Sequence, residues 1–206
     1  MDLDQVIARR RMVRNFADRA VPPELVDRLL ERATHAPSAG FTQGWAFLVL
    51  EGPGQTAVFW EATSDREWRQ ADPAVMRAPV VVIPLTCPGN YFDRYAEPDK
   101  AQPDQAQPDQ AAAGLGDPRS WAVPYWLVDA AFATMLILLG ATDAGLGALF
   151  FRLHRSTEEL LGGLGVPEGW VPIGAIALGW PAPDRASPSL ARGRRPLDEV
   201  VHRGRW

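Results

Sequence analysis

The sequence predicts a single layered domain of the α+β class, and three observations carry that prediction. Short apolar runs at 46–50 and 80–85, rich in valine and leucine, have the length and composition of strands buried on both faces. Segments with an apolar stripe at helical spacing lie before, between and after them, but not in the strict alternation of a doubly wound fold. At 206 residues and 47% hydrophobic content, the chain can bury a substantial core without metals or disulfides.

Taken in order, Asp2 caps a first helix with Gln5 three residues on, and Leu3, Val6 and Ile7 supply its apolar stripe. That helix ends near the arginines. A second helix starts at Pro22 and Pro23, buries Leu25, Val26, Leu29, Leu30 and Ala33, and stops at Pro37. Strands follow at 46–50 and 80–85. Between 86 and 121 the pattern dissolves, and the stretch AQPDQAQPDQAAAG at 101–114 is low in complexity and poor in large apolar residues. A flexible insertion at 94–120 is expected, either an inert solvated loop or a lid. A helix nearly apolar all round runs from Pro124 through Thr142 and ends at Gly145 and Gly147; a strand at 149–151 follows, then a helix opened by Ser156 and Glu159. Residues 173–178 form a last core strand, and 181–206 an extended arm. No domain boundary interrupts 1–206.

The formal charge of −4 argues against a nucleic-acid-binding surface. The single cysteine, Cys87, excludes an intramolecular disulfide and a CxxC pair, which fits a reducing cytoplasmic compartment. The opening residues lack the basic and long apolar regions of a secretory signal. The most apolar stretch, 130–141, falls short of the roughly 20 residues that span a bilayer, so a soluble protein without membrane attachment is expected.

No GxGxxG follows a strand, and GxxxxGK[ST], HExxH and GxSxG are absent, leaving Rossmann, P-loop, zincin and α/β-hydrolase chemistry unsupported. His35, His154 and His202 stand far apart without Cys or carboxylate at ligand spacing, so no metal site is expected. His35 reads as a helix C-terminal residue that suits the dipole.

Four constellations remain. The string RRRMVRNF places Arg9, Arg10, Arg11 and Arg14 within six positions. On a helix terminus Arg10 and Arg14 share a face and can fork a phosphate, or the four are a solvated surface favouring the helix C-terminus. APSAGFTQGW at 36–45 is a turn of small residues whose backbone can approach a planar ligand. GLGALFFRL at 145–153 leads from a glycine turn into a strand, and RGRRPLDEVVHRGRW at 192–206 is a second basic cluster.

The order and spacing of these four resemble the nitroreductase family of FMN-dependent enzymes across nearly the whole chain. The likeness lies at Arg10, Arg11, Arg14 and Phe16; at Pro37, Ser38, Gln43 and Trp45; at 145–147; and at 199–202. The resemblance implies a mixed central sheet flanked by helices, with an extended C-terminal arm, in a homodimer whose flavins lie in the interface. It implies that Arg10 and Arg11 meet the FMN phosphate and ribityl chain. Arg14 would face the pyrimidine edge, where a cation stabilises the anion formed on reduction. Pro37, Ser38 and Ala39 would touch the flavin from the other subunit. Phe151, Arg152 and Leu153 would present backbone groups near the reactive ring edge, and Arg192 and Arg194 would close over the phosphate.

Three departures stand out: Met12 replaces serine and serves by its backbone alone, Phe41 replaces asparagine, and Gly44 replaces proline. The implied activity is hydride transfer from NAD(P)H through FMN to a small-molecule acceptor, a nitroaromatic, quinone or enone, by a ping-pong mechanism that needs no catalytic side chain. The deazaflavin F420 in the same groove, a flavin carrier or sensor without turnover, and a partner-binding domain are the competing readings.

Overall fold

The computed structural model describes residues 1–71, 73–101, 114–153 and 157–206. The sheet has the order β1 (Trp45–Glu51), β2 (Val80–Thr86), β5 (Ala175–Gly179), β3 (Gly147–Phe151), with the two-residue β4 (Val171–Pro172) also on β2. These strands pair antiparallel throughout, and the parallel component is an isolated bridge between Met12 and Ala148. Trp45 faces Thr86 at one end of the sheet, while Gly147 faces Gly179 at the other.

Burial of β2 on both faces makes three layers. Val80 and Val82 point to one side with Ile176 and Leu178, under α2 (Pro23–Thr34) and α7 (Tyr125–Asp143). Val81, Ile83 and Leu85 point to the other, with Ala175 and Ala177, under α3 (Gly52–Thr63) and α8 (Thr157–Gly163). The alternation follows from the two-residue period of a strand. On the first side α2 crosses α7 closely at Gly140, where an added Cβ would lie 2.9 Å from Leu29. α7 is long and apolar enough to cross a membrane by length and composition. It buries Ala133, Ile137 and Ala141 against the sheet and α2 and leaves Phe132 and Met135 exposed on its far side.

The expected helices and strands are present, with shifted bounds. Asp2 accepts the Gln5 N–H at 2.8 Å and starts α1 (Leu3–Arg9); Pro23 opens α2; and the long helix stops before Gly145, whose φ is 75°. Helices also stand where none was read. α3 and α4 (Arg66–Ala71) follow β1, and α5 (Pro88–Ala96) and α6 (Pro98–Ala101) occupy part of the stretch read as patternless. Residues 102–113 of the low-complexity segment and Ser156 lie outside the described residues. From 188 to 206 every residue is exposed, in an arm with two short 3-10 turns.

Candidate functional site

The arginine string is not a helical face. α1 ends at Arg9, and Arg10 takes φ −58° and ψ 122°, which breaks the helix. Residues beyond it run extended, because Val13 and Phe16 are needed in the core, at 3% and 0% exposure. Val13 donates its N–H to the Ala148 carbonyl at 2.9 Å, laying the segment along β3. Arg10 and Arg14 are therefore not neighbours across one helical turn. Both are half-buried, whereas Arg9 and Arg11 are exposed. Met12 turns inward, packs against both core clusters, and its Sδ lies 3.5 Å from the Phe150 N–H.

Two glycines make this seat possible. An added Cβ at Gly147 would lie 2.8 Å from Val13, and one at Gly179 would lie 3.1 Å from Phe16 and 2.6 Å from Pro79. The chain leaving β5 then closes over the same segment. Ala17 donates to the Trp180 carbonyl at 2.9 Å, Ala182 to the Asn15 carbonyl at 3.0 Å, Asn15 Nδ2 to the Pro183 carbonyl at 2.6 Å, and the Arg14 N–H to Asp184 Oδ2 at 2.7 Å. Arg14 is thus planted on backbone held from both sides, while Arg10 donates its N–H back to the Val6 carbonyl at the end of α1.

β3 carries the segment's neighbours. Phe151 stacks on Trp60, with centroids 5.7 Å apart and planes at 13°, so its ring belongs to the α3 layer. Leu153 packs on the same cluster, and Arg152 is exposed. The structure brings Met12 and Val13 against β3 at Ala148 and Phe150, with Arg10, Arg11 and Arg14 flanking that contact in sequence and Arg14 tied by its backbone to Asp184, while Arg152 and Leu153 follow the end of β3. It anchors the other predicted residues elsewhere. Arg192 and Arg194 lie on the exposed arm, where Arg195 bonds Glu199 at 3.2 Å.

Pro37, Ser38 and Ala39 sit in a turn fixed to α7 and α5. The turn has an unusual path: Gly40, Phe41 and Gln43 have φ of 62°, 56° and 50°, in the left-handed region that side chains disfavour. Ser38 Oγ accepts the Gln43 N–H at 3.0 Å, and the Thr42 hydroxyl donates to the Ala39 carbonyl at 2.6 Å. Phe41 stands out at 74% exposure. Asp129 of α7, 2% exposed, accepts on Oδ2 the Ala39 N–H at 2.8 Å and the Tyr91 hydroxyl at 3.0 Å. Arg94 Nε donates to the Gly40 carbonyl at 2.9 Å while its guanidinium holds Asp99 at 2.7 Å and Glu97 at 2.9 Å. The Tyr91 ring occupies the space a Cβ at residue 44 would need, which accounts for glycine there.

Electrostatics follow from this packing. Burial pushes the Asp129 carboxyl above its ordinary value, against the opposing pull of the Ala39 amide and the Tyr91 hydroxyl. Burial, then the Asp129 charge, pushes the Tyr91 phenol well above its own. The Arg94 bond holds Asp99 below the usual carboxylate range. Sequence reasoning missed Asp129, Tyr91 and Arg94 as parts of the site. One signal was available: Asp129 is the lone charge between 125 and 142. Among the described residues no group of three His, Cys, Asp or Glu side chains is placed to hold a metal.

The profile of the nitroreductase family matches residues 7–180. A Methanothermobacter thermautotrophicus protein provisionally named NADH dehydrogenase/NAD(P)H nitroreductase is 26% identical over 100% of this chain and 88% of its own length. A Thermus thermophilus protein named NADH dehydrogenase is 28% identical over 98% of this chain and 95% of its own. Among solved structures, a protein from Exiguobacterium sibiricum in complex with FMN superposes with a TM-score of 0.73 at 19% identity, covering 98% of this chain and 97% of that one.

Two outcomes are expected from this geometry. Gly147→Ala pushes Val13 off β3 and lowers unfolding stability by about 1–3 kcal/mol in urea, with faster tryptic cleavage at Arg10 and Arg11; an unchanged midpoint and cleavage rate would contradict the seat described. For Asp129 the folded-state pKa is raised, so the ionised group disfavours folding at pH values above that raised pKa, and the penalty fades as pH falls towards about 4, where a free carboxyl titrates. Asp129→Asn is therefore expected to melt no lower than the parent at neutral pH, and any gain is expected to shrink on acidification; a gain that grows in acid refutes the assignment.

Proposed function

The chain belongs to the nitroreductase family and is a flavin-dependent oxidoreductase; from that premise we propose that it binds FMN and passes hydride from NAD(P)H to a nitroaromatic, quinone or enone acceptor. The observation that supports this reading is the Met12–Ala148 bridge, which sets the middle of the arginine string against β3. The residues present fit a phosphorylated ribityl flavin. Arg10 and Arg14 are half-buried cations that do not share a helical face, and the Arg14 backbone is held by Asp184.

In this reading Arg10 and Arg11 hold the phosphate and ribityl chain, Met12 contributes backbone, and Arg14 stands at the pyrimidine edge, where a cation favours negative charge. Phe151, Arg152 and Leu153 offer backbone groups at the ring edge. FMN supplies the two-electron chemistry when bound, accepting hydride from one partner and yielding it to the next, which gives ping-pong kinetics. The chain's own work is to bind, orient and keep a ring face open.

A second copy of the chain completes the proposed site. Pro37, Ser38 and Ala39 of that copy reach the ring, and Arg192 and Arg194 on the arm close over the phosphate. Two observations support a homodimer: the exposed apolar Phe132 and Met135 on α7, and an arm exposed at Leu190 and Leu197, at 69% and 71%. Such surfaces mark association sites.

Arg10→Ala and Arg14→Ala are each expected to give folded, largely colourless protein, while the parent is yellow and loses its visible flavin band on anaerobic addition of NAD(P)H. Full flavin occupancy in both variants overturns the assignment, and release of F420 on denaturation replaces FMN. Light scattering is expected to give twice the chain mass; a monomer that retains flavin removes the shared site.

A further inference from the structure

We infer that Asp129 is a positioning residue for this site: its buried carboxylate fixes the strained turn at 38–43 so that Pro37, Ser38, Ala39 and Phe41 are held ready for a planar ligand. The inference rests on the flavin reading above.

The argument starts from the turn. Gly40, Phe41 and Gln43 share the left-handed region at φ 62°, 56° and 50°, and Phe41 and Gln43 are the non-glycine residues with positive φ among the described residues. Such a path persists only where surroundings over-determine it. Its own hydrogen bonds, Gln43 to Ser38 and Thr42 to Ala39, are local and tie the turn only to itself. Residues 39 and 40 are tied to the protein by a pair of outside grips, while the Gly44 carbonyl that follows the turn accepts the Cys87 N–H at 3.0 Å and the Thr86 hydroxyl at 3.1 Å. Asp129 takes the Ala39 N–H, and Arg94 gives to the Gly40 carbonyl.

The two grips differ in kind. Arg94 is a partly exposed side chain steadied by surface carboxylates, Glu97 and Asp99. Asp129 is 2% exposed and sits on the 19-residue α7, the longest rigid element in the described chain. An ionised acceptor holds its donors more tightly than a neutral one, and Oδ2 serves two at once, the Ala39 amide and the Tyr91 hydroxyl. Tyr91 in turn fills the space beside Gly44, at the far end of the same turn. One carboxylate therefore holds the Ala39 end of the loop directly and orients the Tyr91 ring that packs on the Gly44 end. Tyr95 completes the support from beneath, its ring 2.9 Å from where a Cβ at Gly40 would sit. The consequence is outward: Phe41, 74% exposed, is presented to solvent by backbone that cannot relax.

The test uses the full chain and FMN as probe. Asp129→Ala is expected to weaken FMN binding about tenfold or more and to speed amide exchange at 38–43, while α7 amides at 130–141 stay protected. Asp129→Asn keeps an acceptor oxygen and is expected to restore both readouts to within about threefold of the parent. Parental FMN affinity in Asp129→Ala, or exchange confined to its parental rate, overturns the inference, as does an Asn variant as impaired as the Ala variant. Should Asp129→Ala fail to fold, Arg94→Met removes the second grip from a surface side chain; a loosened turn with parental FMN affinity there is equally fatal. If the parent itself takes up no FMN, the flavin reading falls, and exchange at 38–43 in the Asp129 variants alone decides whether the carboxylate positions the turn.

Discussion

The contact between Val13 and Gly147 is the constraint on which the rest of the site depends. A side chain at 147 would occupy the place of Val13, so the glycine lets the segment that carries the arginines bridge to β3 at Met12 and Val13. Its cross-strand partner Gly179 does the same for Phe16. Once those two apolar side chains are seated, the backbone between them has no freedom left. The hydrogen bonds to Ala148 on one side and to Trp180, Pro183 and Asp184 on the other follow. Glycines commonly credited to turn-making act here by making room, and Arg14 is placed by its apolar neighbour Val13 together with the Asp184 carboxylate.

That constraint also separates what the sequence disclosed from what it concealed. α2, β2 and α7 were legible because their burial is periodic: Val26, Leu29 and Ala33 on one helical face, an unbroken apolar run in β2, and an apolar helix ended by Gly145. α3 was not, because Gly52, Pro53 and Gly54 read as a turn and the following apolar residues form a run without a stripe. α5 was hidden by Pro88, Gly89 and Asn90 at its start, residues that suit a loop as well as a first turn. The arginine string was misread for a different reason. Arginine favours helices, and local preference pointed one way while the core's need for Val13 and Phe16 pointed the other. Tertiary packing prevailed, and with it Arg10 and Arg14 ceased to share a helical face.

The departures from the family pattern become intelligible in the same terms. Gly44 stands where proline is usual, and the structure supplies the reason in the Tyr91 ring packed against it. Tyr91 needs an acceptor for its buried hydroxyl, Asp129 provides one, and Asp129 thereby becomes available to Ala39. Four residues from three parts of the chain form one dependency. None of the four announces this by motif, since the relation is between side-chain volumes and a single shared oxygen.

α7 joins these two themes. Its buried face carries the sheet, Asp129 near its start grips the turn at 38–43, and its opposite face leaves Phe132 and Met135 uncovered. In the dimer we propose, the helix that covers its apolar face against a second copy is the same rigid body that aims the turn at that copy's flavin. In that dimer, association and aim would be linked through the 2.8 Å bond from the buried Asp129 carboxylate to the Ala39 N–H. A site assembled from two chains needs a device that converts correct docking into correct placement, and a short charge-assisted bond from the docking helix to the ligand-facing backbone is the shortest such device available to this fold.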